Sequence, residues 1–544
     1  MIEVQLPRVT YVSKGSRPVA YVKGAAAEEG RGENPSGRVN KICPTVAKAE
    51  SYGLIVTSLM IPGGSDRISW IDTADRLAVV FFCFILNFWP DIPVNREILL
   101  EESTMSKTVV KFGGSSLASA AQIKKAAAII RSDDSRRFVV VSAPGKRDSA
   151  DAKITDLLYR CCDLAAAGET FNEPLSLIRD RFAAILAELG VTMDLEREME
   201  TIRAHLAGGP QREYMASRGE YLNAKVISAY LGFDFLDAAD YVVFDENGGF
   251  DAKTTNRNLR EALAASAGVV IPGFYGADAT GRIRTFSRGG SDVTGAIVAR
   301  AVQADLYENW TDVSGMLAAD PRIVENPRSI DYITYQELRE LAYMGASVMH
   351  EDAVFPVRKA GIPINIRNTN APGDPGTMIV PKLPEGYTAQ RVTGIAGKKG
   401  FCSIHVEKSM MNGEVGFGAT LLQILASHGI PFEHCPTGID TMSLVLNSAH
   451  LDPVRQTVLA DITQRLAPDV LKVEDGLAII AVVGEGMIFT KGTAARIFQS
   501  ISDAGINIRM IDQGSSEMNI IIGVQEEDYA LAVKSIYENV IKNS

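Results

Sequence analysis

The sequence predicts an α/β protein: a mainly parallel sheet between helices, followed by a smaller, repeated module of helices and strands. Three observations carry this. Short β-branched runs alternate with longer Ala/Leu-rich helical patterns from Met105 to about residue 388, and such alternation builds a parallel sheet covered on both faces. Glycine-rich segments at Gly113-Gly114, Gly273-Phe274-Tyr275-Gly276 and Gly289-Gly290 sit where strands end, the place where such sheets bind ligands. Finally, the pattern from Gln423 through Gly429-Ile430 to Phe432 recurs without a gap from Gln499 through Gly505-Ile506 to Ile508.

The 544 residues suit roughly two to four domains. With 46% apolar and 22% charged residues the composition is globular. A formal charge of −11, with Lys and Arg scattered, argues against nucleic acid as the main partner. The six cysteines (Cys43, Cys83, Cys161, Cys162, Cys402 and Cys435) form no Cys-x-x-Cys pair and are too sparse for a disulfide scaffold, so a cytoplasmic location fits. Neither they nor the six histidines cluster at metal-ligand spacing, so no protein-held metal is expected.

Residues 1–104 lack a sustained amphipathic period. The apolar run Leu77–Trp89 is shorter than the ~20 residues that span a bilayer, and it lies too far in for a signal peptide. No membrane association is therefore expected. Met105-Ser106-Lys107 precedes the first strand as a short native start would, and Glu101-Glu102 is encodable as a purine-rich ribosome-binding site. The expectation is that residues 1–104 are a non-native, translated leader or a disordered extension. N-terminal sequencing of the natural product tests this, and a product beginning at Met1 refutes it.

The first predicted strand, Thr108–Phe112, ends in Lys111-Phe112-Gly113-Gly114-Ser115-Ser116 before a helical stretch from Leu117 to Ile130. Glycines admit close backbone approach, a helix start offers free N–H donors, and the lysine adds a full charge. Together these suit a phosphate, although no Walker pattern is present. Further strands are expected at Phe138–Ser142, Val269–Gly273, Asp305–Trp310 and Ile364–Arg367, with helices at Pro174–Leu189 and Arg288–Gln303. Pro174 suits a first turn, where its missing N–H costs nothing. A boundary follows Pro372–Gly376, and residues 381–387 read as a linker.

Three more segments join the lysine loop. Thr285 to Gly295 includes Arg288-Gly289-Gly290-Ser291-Asp292 at a helix start, and Arg288 there can grip a carboxylate with two prongs. Ser217-Arg218-Gly219-Glu220 offers a carboxylate for an amine, and Thr311-Asp312-Val313-Ser314-Gly315 follows a strand. An acid at a helix start usually only caps it. All four in one domain point to a shared site.

These motifs, with Glu340-Leu-Ala-Tyr-Met-Gly-Ala-Ser347 and Asn365-Ile-Arg-Asn368-Thr, resemble the aspartate kinases of the amino-acid-kinase family. The tail, including Gly514-Ser515-Ser516-Glu517-Met518-Asn519, resembles that family's paired ACT domains. The resemblance runs from Lys107 nearly to the C-terminus. It implies an amino-acid-kinase fold at 105–388 and two ferredoxin-like βαββαβ ACT domains at 389–472 and 473–544. It implies ATP- and Mg2+-dependent phosphorylation of the L-aspartate side chain to 4-phospho-L-aspartate, opening the route to lysine, threonine and methionine. The attacking carboxylate is ionised at neutral pH, so the chemistry needs positioning and charge stabilisation rather than a general base.

By the same resemblance Lys111 stabilises the transferring phosphoryl group, and Asp292 orients that lysine and helps organise the metal–phosphate region. Gly113, Gly114, Ser115, Thr311, Asp312 and Arg322 contact the nucleotide, and magnesium is held largely by the phosphates. Glu220 takes the substrate ammonium and Arg288 its α-carboxylate, with Ser291 and Thr155 completing the pocket. Two positions depart from the family pattern: Ser347 stands where a lysine is common, and Leu317 where a tyrosine is common. Arg358 or Lys359 is the expected substitute for that lysine. Lysine or threonine as effector is expected around Met410, Gly416, Phe417, Phe432, Glu433 and Thr437, and a homodimer is the minimum assembly. The competing readings are a sister kinase acting on glutamate or another acid, and a non-catalytic ACT sensor. A sensor has no need of Lys111, Glu220, Arg288 and Asp292 together.

Overall fold

A computed structural model describes residues 10–13, 18–21, 106–287, 289–346, 349 and 351–542. The Leu77–Trp89 run, Met105, Arg288 and Ser347 lie outside the described residues. The chain divides into two units, Met1–Ser103 and Thr104–Ser544. In the first, Thr10–Ser13 pairs antiparallel with Pro18–Tyr21.

The second unit contains an eight-stranded sheet. In spatial order its strands are Tyr332–Thr334, Thr377–Val380, Ile364–Asn368, Leu306–Thr311, Thr108–Phe112, Phe138–Val141, Val269–Pro272 and Asp234–Phe235. Every pairing is parallel except Ile364–Asn368 with Thr377–Val380. The central strands are buried along their whole length, which is why they read as unbroken apolar runs rather than alternating ones. Alternate residues serve opposite faces. Val109, Val140 and Ile271 pack with the helix Gly290–Val302, and Val110, Val139 and Val270 with helices 120–131, 154–166, 172–189 and 212–231. Each such side chain contributes about 1.5–3 kcal/mol of burial. The strand Thr377–Val380 follows the turn at 372–376 and returns to this sheet.

The C-terminal repeat is realised element by element: helix Phe417–Ser427 answers Thr493–Asp503, and strand Thr441–Asn447 answers Asn519–Gln525. The two copies are not laid end to end. The 14-residue strand Gly394–Glu407 pairs at 394–398 with 479–483 and at 403–407 with 470–474, and a register shift near Phe401 separates the two stretches. Its partner Val470–Val483 likewise serves both halves. The sequence boundary at 472/473 therefore falls inside a continuous strand. Pairing across one five-stranded sheet, not chain order, decides where each half lies.

Candidate active site

Lys111 is the penultimate residue of the strand Thr108–Phe112, which lies beside Leu306–Thr311 in the sheet. Asn309 is its partner in the parallel register, so both side chains leave the sheet on one side. Lys111 Nζ lies 2.5 Å from Asp292 Oδ1 and 3.4 Å from Asn309 Oδ1, and Asn309 Nδ2 donates to the same Asp292 oxygen at 2.9 Å. Lys111 and Asn309 are buried, so the ammonium is held in a low-dielectric setting where its charge acts strongly. Asp292 stands in the first turn of the helix Gly290–Val302, whose cap residue Gly289 has φ 58°, a conformation glycine adopts without strain. Phe274 also has φ 80°, and its N–H is held by Thr294 Oγ1 at 3.0 Å.

Next to the lysine, Gly113 N–H donates to Trp310 O at 3.0 Å, and Gly145 N–H to Gly114 O at 2.8 Å. A Cβ on Gly114 would lie 2.9 Å from Ala143 O, and one on Gly145 would lie 2.6 Å from Gly114 C. Two strand-end loops thus meet backbone to backbone. Buried Arg181 fastens them from behind, donating to the carbonyls of Ala118, Gly145 and Ala152. Ser115 opens the short turn Ser115–Leu117 and is exposed. Thr311 and Asp312 end the strand beside Trp310, with Thr311 Oγ1 donating to Asp312 at 3.1 Å.

Glu220 lies mid-helix in Arg212–Leu231 and is only 6% exposed. The Ala143 N–H reaches its carboxylate, but its Oε2 has no partner. Burial lifts its carboxyl from 4.5 to about 7, against the pull of the Ala143 and Glu220 N–H groups and of Arg218. An unpartnered buried carboxylate is costly unless a cation arrives. Gly219 makes this closeness possible, since a Cβ there would meet Ala143 Cβ at 2.8 Å and Ile154 Cγ2 at 3.3 Å. Thr155, half-buried, follows Ile154 in the first turn of its helix. Ser291 is buried against Gly273, where an added Cβ would approach its Cβ to 2.7 Å.

Some expected residues stand elsewhere. Arg322 is 88% exposed and tied to Asp320 at 2.6 Å. Arg358 and Lys359 occupy the last turn of the helix Glu351–Ala360. That helix leads into the strand Ile364–Asn368, so its last turn lies toward the amino ends of the strands, whereas the Lys111 loop follows a carboxyl end. Leu317 is partly exposed and bridges Ser329.

Sequence reading missed Asn309, and also Glu308 beside it. Glu308 is buried on the other side of the strand, accepting from Arg136 (2.8 Å), Trp310 Nε1 (2.9 Å) and Arg367 (3.3 Å). The available signal was two polar residues inside an otherwise buried strand.

Among the effector candidates, Met410 is 79% exposed with φ 62°, Gly416 caps the helix Phe417–Ser427 with φ 91°, and Phe417 is buried. The 408–412 turn bonds to Ile439 and Asp440, near exposed Thr437. Phe432 is half-exposed, and Glu433 accepts a hydrogen bond from Tyr343 of the catalytic region.

Residues 106–368 match the amino acid kinase family and residues 480–540 an ACT domain. Aspartokinase 3 of Bacillus subtilis is 41% identical over 445 residues, 79% of this chain and 98% of that protein. The chain belongs to the aspartokinase family. The crystal structure of Clostridium acetobutylicum aspartate kinase is similar at TM-score 0.73 and 48% identity, covering 80% of this chain and all of that one. Escherichia coli aspartokinase III, solved with aspartate and ADP, is similar at TM-score 0.63 and 27% identity over 80% of this chain and 99% of that one; its lysine and aspartate complex gives 0.61. As an aspartokinase this chain is a kinase that uses ATP to phosphorylate aspartate. No helix among its described residues is long and apolar enough to cross a membrane.

Proposed function

We propose that transfer takes place above Lys111, with the aspartate side-chain carboxylate attacking the terminal phosphorus of ATP and ADP leaving in line. The product is 4-phospho-L-aspartate, the first intermediate toward lysine, threonine and methionine. Two observations together carry this reading: buried Lys111 and Asn309 joined through Asp292, and the unpartnered Oε2 of buried Glu220. The first supplies positive charge where negative charge meets negative charge. The second supplies the counter-charge for a substrate ammonium.

In this reading Asp292 and Asn309 fix the Lys111 ammonium, while the Gly113, Gly114 and Ser115 backbone lines the phosphates. Thr311 and Asp312 lie on the nucleotide side, and Arg322 reaches it only by leaving Asp320. Ser291, Thr155 and Arg288 enclose the aspartate. Among the described residues no three His, Cys, Asp or Glu side chains gather as a metal site. Asp292 is the carboxylate beside the phosphate loop, so magnesium fits as an ion carried mainly by the nucleotide, where it neutralises phosphate charge.

The C-terminal region acts as the regulatory part: one ACT unit from 401 to 474 is nested within another formed by 394–398 and 477–542. Lysine or threonine binds around Met410, Gly416, Phe417, Phe432, Glu433 and Thr437. A cationic effector competes with Tyr343 for Glu433. The edge strand Met510–Asp512 of the regulatory sheet, with Ile511 exposed, favours a homodimer. A coupled ADP-release assay with aspartate, glutamate and acetylglutamate, with and without lysine and threonine, tests the reading. Aspartate-dependent release supports it, and release driven by glutamate instead refutes it.

A further inference from the structure

The helix Tyr335–Tyr343 joins the catalytic sheet to the regulatory one. It starts with a capping box in which Thr334 and Glu337 satisfy each other's backbone. An ordinary box of this kind uses one oxygen of the glutamate. Here Glu337 Oε2 accepts from Thr334 N at 2.8 Å and Thr334 Oγ1 at 2.9 Å. The second oxygen, Oε1, reaches across to the regulatory region, accepting from Thr393 Oγ1 at 2.6 Å and Glu485 N at 2.9 Å. Glu337 is 2% exposed, so water does not substitute for either pair. Such a carboxylate is stable only while all its donors stay in place. The Glu485 carboxyl stands close by with a buried, unpartnered Oε2, and burial, then the Glu337 charge, pushes it up. The junction therefore holds one satisfied and one strained acid.

The helix also has a path to the catalytic machinery. Tyr335, Leu338 and Ala342 face Val293 and Ile297 of the helix Gly290–Val302 across a cavity of about 630 Å3. Asp292 stands one residue before Val293. Tyr335, Leu338, Val293 and Ile297 belong to one buried apolar cluster, so a displacement of one helix is felt at the other.

We propose that Glu337 is the positioning residue through which the regulatory sheet sets the placement of the catalytic helix bearing Asp292. The inference rests on the regulatory reading above. When a ligand shifts the regulatory strands, Thr393 and Glu485 N–H pull on Oε1, and Glu337 passes the displacement to the start of its own helix.

Glu337→Gln separates the cap from the link. A glutamine has one acceptor oxygen, and the N–H groups of Thr334 and Glu485 each need one. With the oxygen on Thr334 the helix stays capped and the link to Glu485 is lost. Thr393→Val removes a donor from the regulatory side alone at nearly constant volume, and it serves as the second probe if the first variant folds poorly. Full-length wild type, both variants and the double variant are assayed for aspartate-dependent ADP release against L-lysine and L-threonine.

The expected result is turnover without effector within about twofold of wild type, and a half-inhibitory concentration raised at least about fivefold in each single variant. The double variant should show no further loss, because both changes cut one link. Single variants inhibited like the wild type, or additive losses in the double variant, overturn the role of Glu337. A wild type that phosphorylates aspartate but ignores both amino acids overturns the regulatory reading and this inference with it.

Discussion

Replacing Glu220 with glutamine tests substrate recognition and stability in one experiment. In the free enzyme this carboxyl is buried with one oxygen unpartnered, and its pKa is raised from 4.5 to about 7. That rise corresponds to roughly 3 kcal/mol. The sign follows from proton binding. Above 4.5 the unfolded chain releases this proton while the folded chain keeps it, so stability falls as pH rises through about 7 and then levels off. Glu220→Gln removes the titration. The variant should match wild type near pH 4.5 and exceed it by up to roughly 3 kcal/mol at about pH 8, read by urea unfolding at both values. Aspartate binding works in the opposite direction, because its ammonium supplies the missing partner. The wild-type kcat/KM for aspartate should climb as pH rises through about 7. In the variant the aspartate KM should rise on the order of 10²-fold, the loss expected when one partner of a buried charge pair is removed, with the ATP KM nearly unchanged. An equal stability difference at both pH values, or an equal rise in the two KM values, would refute the reasoning.

Three further outcomes follow from the geometry. Lys111→Ala should lower aspartate turnover by ~10²-fold or more, as loss of a transition-state donor does, and an unchanged kcat in a folded variant rejects its role. Glu308→Ala leaves partly buried Arg136 and Arg367 stacked on Trp310 without their carboxylate; a loss of about 3 kcal/mol in chemical denaturation is expected. Gly114→Ala should be the more damaging of the two loop substitutions, because its Cβ meets the Ala143 carbonyl at 2.9 Å whereas one on Gly113 meets nothing closer than 3.6 Å. Thermal melts of the pair check this, and equal losses would count against the backbone contact.

Sequence alone carried the catalytic strands because their burial on both faces leaves unbroken β-branched runs. Phe138–Val141 and Val269–Pro272 end within a residue of the predicted bounds. It also singled out the Lys111 loop, Glu220 and Asp292, since a charge close to glycine is a local pattern, whether at a strand end, inside a helix or at a helix start. The repeat was legible for the same reason: both helices and both strands recur in order. Asn309 was not legible, because its role depends on register with Lys111 across a parallel pair nearly two hundred residues apart in the chain. Nor was Arg322's attachment to Asp320, a choice among neighbours that side-chain geometry makes.

Chain order determined which elements exist, and pairing determined what they become. A strand as long as Gly394–Glu407 looks in sequence like the opening of one module, yet its hydrogen bonds divide it between two. Glu337 caps its own helix through one oxygen, yet its second oxygen belongs to a contact with residues 56 and 148 positions away. Local physics, from periodicity, glycine conformation and capping, is written along the chain. Partnership between distant buried polar groups is settled only when the sheets and helices close around them.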